Sequence, residues 1–444
     1  MTALGDPPQS RHDTAGRSAP RELLRATTTP RKLRRLLVGL VALCLIWGAL
    51  AAWVVSQRAS GAAAVVSTSE PVSLDGQQIY RALSDADATA ATAFLSGGLE
   101  PIAARHRYQA DIAQAASRLE AATAVAGHSV AARDLAVLSA TLPVYTGEVE
   151  TARANNRLGL PLGAAYLREA SSLMRGTLLP AARDVSAQAD AQLNADSGRA
   201  TGLPLALVVV AGSILVGVLL YRAQRWLSRR THRMVNPGLL VATAAAIVSL
   251  LWLIIALGVA RADLLQAREH GSAPVTALAR ADIAALRART DESLTLIDGG
   301  GDDAFQADFV ATARRLGPGP GTLVTDAVGA ARGSPAAASA SAAARAATAW
   351  YAAHRMVRSL DDNGQHTQAV RLVTTSGPGH SSTLFARLDG SLTSAVAVDQ
   401  AVFQSHAVAG RDAFTGLELG VIAAALVMAA ASARGLSQRL AEYR

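Results

Sequence analysis

The sequence predicts an all-α membrane protein with four transmembrane helices and two helical domains outside the cytoplasm. Four apolar runs are each close to the length of about 17–25 residues that crosses a bilayer. Arginine clusters flank these runs on one side of the predicted membrane only. The rest of the chain is rich in alanine and poor in aromatic residues, which favours helix over strand.

The predicted transmembrane helices cover 36–55, 203–221, 239–260 and 417–433. The first run could also be a cleaved signal peptide, but it is longer than the apolar region of such peptides, which favours a retained anchor. Four buried core helices of a soluble protein are the other alternative, and they would not place every arginine-rich loop on one side. Cys44 is the only cysteine, so neither outer domain can form an internal disulfide.

The distribution of charge predicts the orientation. Lys and Arg outnumber Asp and Glu by eight to three in 1–35, by five to none in 222–238 and by three to one in 434–444. Under the positive-inside rule, both termini and the basic 222–238 loop are cytoplasmic, in a cell inner (plasma) membrane. The composition of the 1–35 tail also predicts disorder.

The two long segments between the spans carry no basic excess. Segment 56–202 has 12 basic against 14 acidic residues, and segment 261–416 has 14 against 15. Both are therefore predicted to be extracytoplasmic, and nucleic-acid binding is excluded because neither domain offers a basic face.

The sequence also indicates a tandem parallel repeat. At an offset of 203 residues the first apolar run falls on the third, and eight of the 31 positions in 68–98 meet identical residues. Arg58 and Pro71 then fall on Arg261 and Pro274. Each copy consists of a span, a helical domain and a second span, so the pseudo-symmetry axis is expected along the membrane normal.

Turn-forming residues divide each outer domain into the helices of a four-helix bundle. In the first domain the expected helices run from Pro71 to Gly97, from Pro101 to Gly127, over 129–154, and from the turn at 155–159 to the membrane. In the second domain the expected breaks lie at 298–301, 317–321 and 361–364.

Prolines mark further interruptions. Pro71 and Pro274 each predict a kink or a fresh helix start where a span meets its bundle, since proline removes a donor. Such a kink could be a transmission joint, although kinks are also ordinary where a helix leaves a membrane. Pro180 and 377–379 are expected to interrupt the two descending helices.

Bundle topology places four turns farthest from the bilayer, at 97–101, 155–163, 298–303 and 361–366. We expect an extracytoplasmic partner to bind there. The candidate contact residues are Gly97, Gly98, Asn155, Asn156, Arg157, Asp361, Asp362 and Asn363.

The 222–238 loop is basic and has an aromatic anchor, which is typical of contact with anionic lipid headgroups. A docking face for a cytoplasmic partner is the alternative. The residues concerned are Arg222, Arg225, Trp226, Arg229, Arg230 and Arg233.

Small residues spaced four apart predict close helix packing in the second and fourth spans. Glu418, at the outer mouth of the fourth span, either reaches headgroup water or pairs with Arg261 or Arg411. The predicted packing residues are Ser213, Gly217, Gly416, Gly420 and Ala424.

No catalytic or metal-binding pattern is present in the sequence, so we expect no enzyme, no metal and no cofactor. Residues 298–303 resemble a calcium loop faintly, but they lack the alternating oxygen ligands and the closing glutamate, which favours a solvated turn. The glycines of 317–321 alternate with prolines, which remove the amide donors that a phosphate cradle needs.

This layout predicts signalling without catalysis. Outer bundles continuous with spans can convert binding into a piston, tilt or rotation, and the short cytoplasmic segments require a separate output protein. A structural or mechanical alternative is a permease-like component that couples a cytoplasmic ATPase to cell-envelope proteins. A transporter is disfavoured because the four spans hold no charge at mid-bilayer. The sequence is also compatible with a homodimer.

In architecture the chain resembles the actinobacterial four-span membrane sensor that works between a glutamate/aspartate-binding lipoprotein and the soluble Ser/Thr protein kinase G. The resemblance covers overall length, four spans, two helical outer domains, and stretches such as Tyr166-Leu167-Arg168-Glu169-Ala170. It implies a relay of amino-acid availability, with the lipoprotein outside, the kinase pathway inside and membrane lipids around the spans. No functional residue is carried across.

Overall fold

The computed structural model describes residues 28–98, 100–126, 131–231, 236–299, 304–317 and 319–441. In these ranges the backbone is predominantly helical and contains no strand, which confirms the predicted all-α class. Four helices there are long and apolar enough to cross a membrane, and they contain the four predicted runs. Most of the predicted 1–35 tail, together with Gly127 and Arg233, lies outside the described residues.

The first half of the chain forms helices whose bounds lie close to the expected ones. The predicted helix ends at Gly97, near Pro101 and at the 155–159 turn are confirmed to within a few residues. The elements are α1 (Thr28–Ala64), a π-helical turn π1 (Val65–Ser69), α2 (Glu70–Phe94), α3 (Ile102–Ala126), α4 (Ala131–Arg157), α5 (Leu162–Leu173), a second π-helical turn π2 (Met174–Leu178), α6 (Leu179–Thr201) and α7 (Leu203–Thr231).

The second half contains more pieces than a simple four-helix bundle. Besides the expected breaks it is interrupted at 331–336 and at 375–380, the latter around the predicted 377–379 break. The elements are α8 (Pro237–Ala267), a third π-helical turn π3 (Arg268–Ser272), α9 (Ala273–Asp298), α10 (Ala304–Leu316), α11 (Leu323–Ala330), α12 (Ala337–Asp362), α13 (His366–Thr374), α14 (Ser381–Asp412) and α15 (Leu417–Ala441).

The described chain divides into two compact units. One, here called the membrane unit, comprises the described parts of Met1–Val54, Leu205–Ile254 and Glu418–Arg444. The other, here called the head, comprises Val55–Pro204 and Ile255–Leu417. Both long segments between the spans therefore contribute to the same compact body.

In the membrane unit, α8 and α15 approach closely where α8 begins. A Cβ added to Gly238 would lie 2.6 Å from Cα of Gly435, so this crossing of α8 and α15 admits only glycine without a shift. Asn236 caps the start of α8, because its Oδ1 accepts from the Gly238 N–H at 3.1 Å. The Asn236 Nδ2 also donates to the Gly435 carbonyl at 2.8 Å, which ties the two helices together.

The predicted packing residues have mixed surroundings. Gly420 lies directly against Trp252 of α8, so it does allow a close helix contact. Ser213 is buried and bonds the Val209 carbonyl of its own helix, whereas a Cβ at Gly217 would meet nothing within 4 Å.

The remaining two predicted packing residues also differ from each other. Gly416 adopts a left-handed backbone (φ +75°) in the turn before α15, and a Cβ there would likewise meet nothing within 4 Å. Ala424 is half-buried, and its neighbour Ala425 lies in the contact with Gly48 of α1. The close contact at this point of the fourth span thus comes from Ala425, which lies beside the predicted packing residue Ala424.

Two apolar cores interlock inside the head. The first-half core contains the fully buried Tyr145 but also takes in Leu294 from α9. The second-half core is built around Trp350, which packs edge-to-face on Phe385 with ring centroids 5.2 Å apart, and it takes in Ala88 from α2. Each half therefore completes the core of the other.

A proline follows shortly after every described π-helical turn. The turns π1, π2 and π3 end two residues before Pro71, Pro180 and Pro274, and helical structure continues on both sides of each. Proline cannot donate to the preceding turn, so the backbone widens there instead of breaking. The predicted break at Pro180 is thus a π-helical turn within a continuing helix.

We expect Gly238→Ala to lower the thermal unfolding midpoint of the detergent-purified chain, because the added methyl group meets backbone atoms of α15. Overpacking of this kind costs about 1–3 kcal/mol. The matched control is Gly217→Ala, where the methyl group has open space. Equal midpoints for the two variants would contradict the described crossing.

Candidate functional site: a charged seam and its helical joints

The two halves of the head meet along α2 and α9, and this contact is here called the seam. Arg81 of α2 pairs with Asp282 of α9, with Nε and Oδ2 2.7 Å apart. Farther along, the hydroxyls of Thr92 and Ser293 are 3.0 Å apart. Both pairs are separated by 201 residues in sequence, so the two helices run parallel and in register.

Charged side chains bind the seam to its neighbours. Asp389 of α14 is held between two guanidiniums of the first half, Arg81 Nη2 at 2.8 Å and Arg107 Nη2 at 3.0 Å. Arg107 also pairs with Asp85 of α2 at 2.9 Å. These residues and Asp282 are here called the seam network. Because its cations come from the first half and two of its acids from the second, it holds the halves together.

Burial raises the pKa of several carboxyls at the seam. The pKa of Asp282 rises to about 7, because loss of solvent outweighs the attraction of Arg81. The pKa of Asp85 is also raised by burial, against the opposing charge of Arg107. Asp111 of α3 has a pKa of about 7, raised first by burial and then by the negative charge of Asp85. We therefore expect the protonation of Asp282 and Asp111 to change near neutral pH.

A second set of ion pairs ties α9 to the first half. Arg168 of α5 pairs with Asp298 at 2.8 Å, and Arg175 of π2 pairs with the fully buried Asp291 at 2.5 Å. Burial raises the pKa of Asp291 to about 6 despite that partner. Arg168 lies within the 166–170 stretch singled out by sequence resemblance, and its position makes it a link between the halves.

Two arginines converge on the end of α6. The last carbonyls of a helix have no partner within it, and they carry the negative end of the helix dipole. Arg58 donates to the Ala200 carbonyl at 3.2 Å and also to the Gly202 carbonyl, while Arg261 donates to the Thr201 carbonyl at 2.7 Å. The two capping residues are the pair that the 203-residue offset aligns.

Other groups occupy the proposed partners of Glu418. Arg261 is engaged by the α6 terminus, and Arg411 pairs with Asp412 at 2.8 Å. The pairing of Glu418 with either arginine stays a prediction.

Most of the first set of candidate contact residues lies together. Gly97, Gly98, Asn156 and Arg157 line one small pocket of about 240 Å³ between the α2–α3 and α4–α5 turns. The Asn156 amide donates to the Phe94 carbonyl at 3.0 Å, which fixes one turn on the other. Asn155 instead bonds back to its own helix, at the Thr151 carbonyl.

The second set lies at the end of α12. Arg358 pairs with Asp361 at 2.7 Å and with Asp362 at 2.5 Å. Asn363 bonds the Ser359 carbonyl at 2.6 Å. Asp362 and Asn363 line a wider cleft beside α10, and sequence reasoning did not anticipate that cleft.

The basic residues predicted to lie in a loop are mostly helical. α7 continues to Thr231, ten residues beyond the predicted end of its span, and only 232–236 separate it from α8. Arg222, Arg225 and Arg229 are exposed on this extension and Trp226 is half-buried. Arg230 lies on the same helix, and Arg233 falls outside the described residues.

A buried polar centre in the second half has the residue types of a hydrolase triad but a different arrangement. Glu292 accepts from Ser381 Oγ at 2.8 Å and from His354 Nδ1 at 3.0 Å, so the carboxylate stands between the other two groups. Burial opposes its ionisation, but Arg289 at 2.5 Å, His354 and Ser381 hold its pKa at about 2. A serine bonded to a carboxylate and not to the histidine is not activated by the usual base.

Metal binding finds no support in the part of the chain that the structure describes. Within those residues, no group of three or more His, Cys, Asp and Glu side chains is arranged to hold a metal ion.

A protein-family model matches part of the chain. The model for the actinobacterial sensor domain matches residues 61–198, which run from the end of α1 to the end of α6. This match supports an actinobacterial sensor protein. The matched segment supplies α2 with Arg81, which form the first-half side of the seam. It also supplies Arg107, Arg168 and Arg175, which pair with acids of the second half. No curated protein and no solved structure matches the chain.

We expect the head to lose stability as the pH rises through neutrality. A carboxyl whose folded pKa is about 7 binds its proton more tightly in the folded state, so its contribution is complete below about pH 4 and is lost as the pH passes 7. Asp282→Asn removes this titration and should flatten the decline of the unfolding midpoint between pH 5 and 8. Asp326→Asn, at an exposed position, is the control. An unchanged pH profile in Asp282→Asn would contradict the assignment.

Proposed function

We propose that the chain is a non-enzymatic transmembrane signalling protein that relays an extracytoplasmic signal to a cytoplasmic partner. The observation that carries this proposal is the placement of the sensor-domain match. It covers the half of the head that provides α2, and helical structure continues from α2 through π1 into the apolar helix α1. The same continuity joins α9 through π3 to α8.

The relay that we propose is a relative shift of the two seam helices. α2 and α9 are parallel, and each leads without a break in helical structure to one span. A ligand or partner that favours one packing of the seam over another changes the population of both packings. The seam network supplies polar contacts that can be exchanged between two arrangements, as in other switching interfaces.

The orientation and the finer role belong to the same proposal. The arginine distribution supports cytoplasmic termini and an outward head. The architectural resemblance supports amino-acid availability as the signal, a glutamate/aspartate-binding lipoprotein as the outer partner and the protein kinase G pathway as the output. The exposed Arg222, Arg225 and Arg229 supply a basic face for lipid headgroups or for the cytoplasmic partner.

Capture of the solubilised full chain tests the partners. We expect recovery of an amino-acid-binding lipoprotein and a cytoplasmic kinase-pathway protein, in amounts that change when glutamate or aspartate is added. Recovery of a nucleotide-binding ATPase together with cell-wall hydrolases would favour the mechanical alternative instead. A reporter fused after residue 230 that is active only outside the cytoplasm would overturn the orientation.

Locking the seam tests the relay. In a Cys44→Ala background, Thr92→Cys with Ser293→Cys places two thiols where the hydroxyls are now 3.0 Å apart, so oxidation can join them. We expect the oxidised protein to lose the amino-acid-dependent change in recovery of the cytoplasmic partner, and reduction to restore it. The two single-cysteine variants are the controls. A full response in the cross-linked protein would exclude movement at the seam as the signal.

A further inference from the structure

The head contains an open cleft of about 690 Å³ between α10 and α12, outside the segment that matches the sensor domain. None of the seam residues named above lines this cleft. Its walls combine aromatic, aliphatic, amide and guanidinium groups, which is the mixture found in small-molecule sites. The residues that matter for its chemistry are Gln306, Phe309, Arg314, Tyr351, His354 and Arg355.

Three polar atoms of the cleft residues are buried without a hydrogen-bond partner in the described chain: His354 Nε2, Tyr351 Oη and Gln306 Oε1. Buried polar atoms normally have partners, so three unpaired atoms around one cleft call for a ligand or solvent. His354 is only 4% exposed, and its other nitrogen faces the ionised Glu292 at 3.0 Å. That nitrogen donates to the Glu292 carboxylate, while the amide oxygen of Gln306 is an acceptor by its chemistry.

The charge of the cleft favours an anion. Arg314 and Arg355 are exposed, and the described residues provide no ion pair or hydrogen bond for either guanidinium. The acid Asp362 at the rim is already paired with Arg358 at 2.5 Å. Two arginines are thus available for a carboxylate, and guanidinium groups bind carboxylates with good geometry.

The shape of the walls favours a flat apolar body. Phe309 stacks on the ring of His354 with centroids 3.4 Å apart and meets Tyr351 edge-on at 6.3 Å. Val310 and Ala313 continue the apolar surface. Phe309 and His354 are themselves buried, so the half-buried Tyr351 presents the aromatic surface, and such a surface accepts planar groups by stacking or edge contacts.

We propose that this cleft binds a small planar organic acid that also carries an N–H or O–H donor. The carboxylate pairs with Arg314 and Arg355, the ring system packs against Tyr351 and Val310, and the donor reaches the acceptor Gln306 Oε1. The proposal concerns binding only, so it does not depend on the relay or on the orientation of the chain.

Calorimetry on the detergent-purified full chain tests the proposal with three probes of similar size. Indole-3-acetate has the ring, the donor and the charge, 1-naphthaleneacetate lacks the donor, and indole-3-acetamide lacks the charge. We expect indole-3-acetate to bind most tightly and each of the others to bind about tenfold more weakly, since each loses one hydrogen-bonded or charged contact. Titration into detergent alone corrects for partition into micelles.

Variants assign the binding to this cleft. Arg314→Gln with Arg355→Gln should weaken indole-3-acetate about tenfold and leave indole-3-acetamide unchanged, because only the charged contact is lost. The control is Arg315→Gln, an exposed arginine on the same helix that does not line the cleft. Because the substituted arginines are exposed, we expect the variants to keep the fold, and the unfolding midpoint checks this. The proposal would be overturned if indole-3-acetate failed to bind at millimolar concentration. It would also be overturned if the double variant bound indole-3-acetate with unchanged affinity.

Discussion

The head depends on charges that are taken out of water between its halves. Asp282 and Asp389 belong to one half, and the guanidiniums of Arg81 and Arg107 that face them belong to the other. Removing a carboxylate from solvent is costly unless a cation and further hydrogen bonds replace the water. Neither half can satisfy these groups alone. The charges therefore specify which face of α2 meets α9 and at what register, a choice that alanine-rich surfaces would leave open.

The sequence predicted helices well where proline and glycine punctuate the chain. The ends of α2 and α4 fall close to the expected turns because the residues that stop a helix act locally. The four spans were predicted equally well, since hydropathy over about 20 residues is also a local property. The π-helical turns were not anticipated: Pro71 and Pro274 indicated a disturbance, but a bulge or a break depends on the packing around it. The close contact of Gly271 with Phe403 is one such constraint on π3.

The candidate site was much harder to predict. The seam joins residues about 200 positions apart, and nothing local distinguishes Arg81 or Asp282 from the many other charges of an alanine-rich helix. The pairs Arg81–Asp282 and Thr92–Ser293 share a separation of 201 residues, which becomes apparent only once the two helices are seen side by side. The cleft was missed for a similar reason. Gln306, Tyr351 and His354 come from two helices, and their unpaired atoms become visible only when the fold brings them together.

The three π-helical turns have a geometric consequence. A π turn holds one residue more than the α-helical turn that it replaces. Closing it to α geometry would push the adjoining helix along its axis by about 1.5 Å and rotate it by about 100°, the rise and twist of a single residue. π1 and π3 precede parallel helices and lie 203 positions apart. A one-residue slip in either would turn a different strip of α2 or α9 towards its neighbour, and a slip in both would leave their mutual registration unchanged.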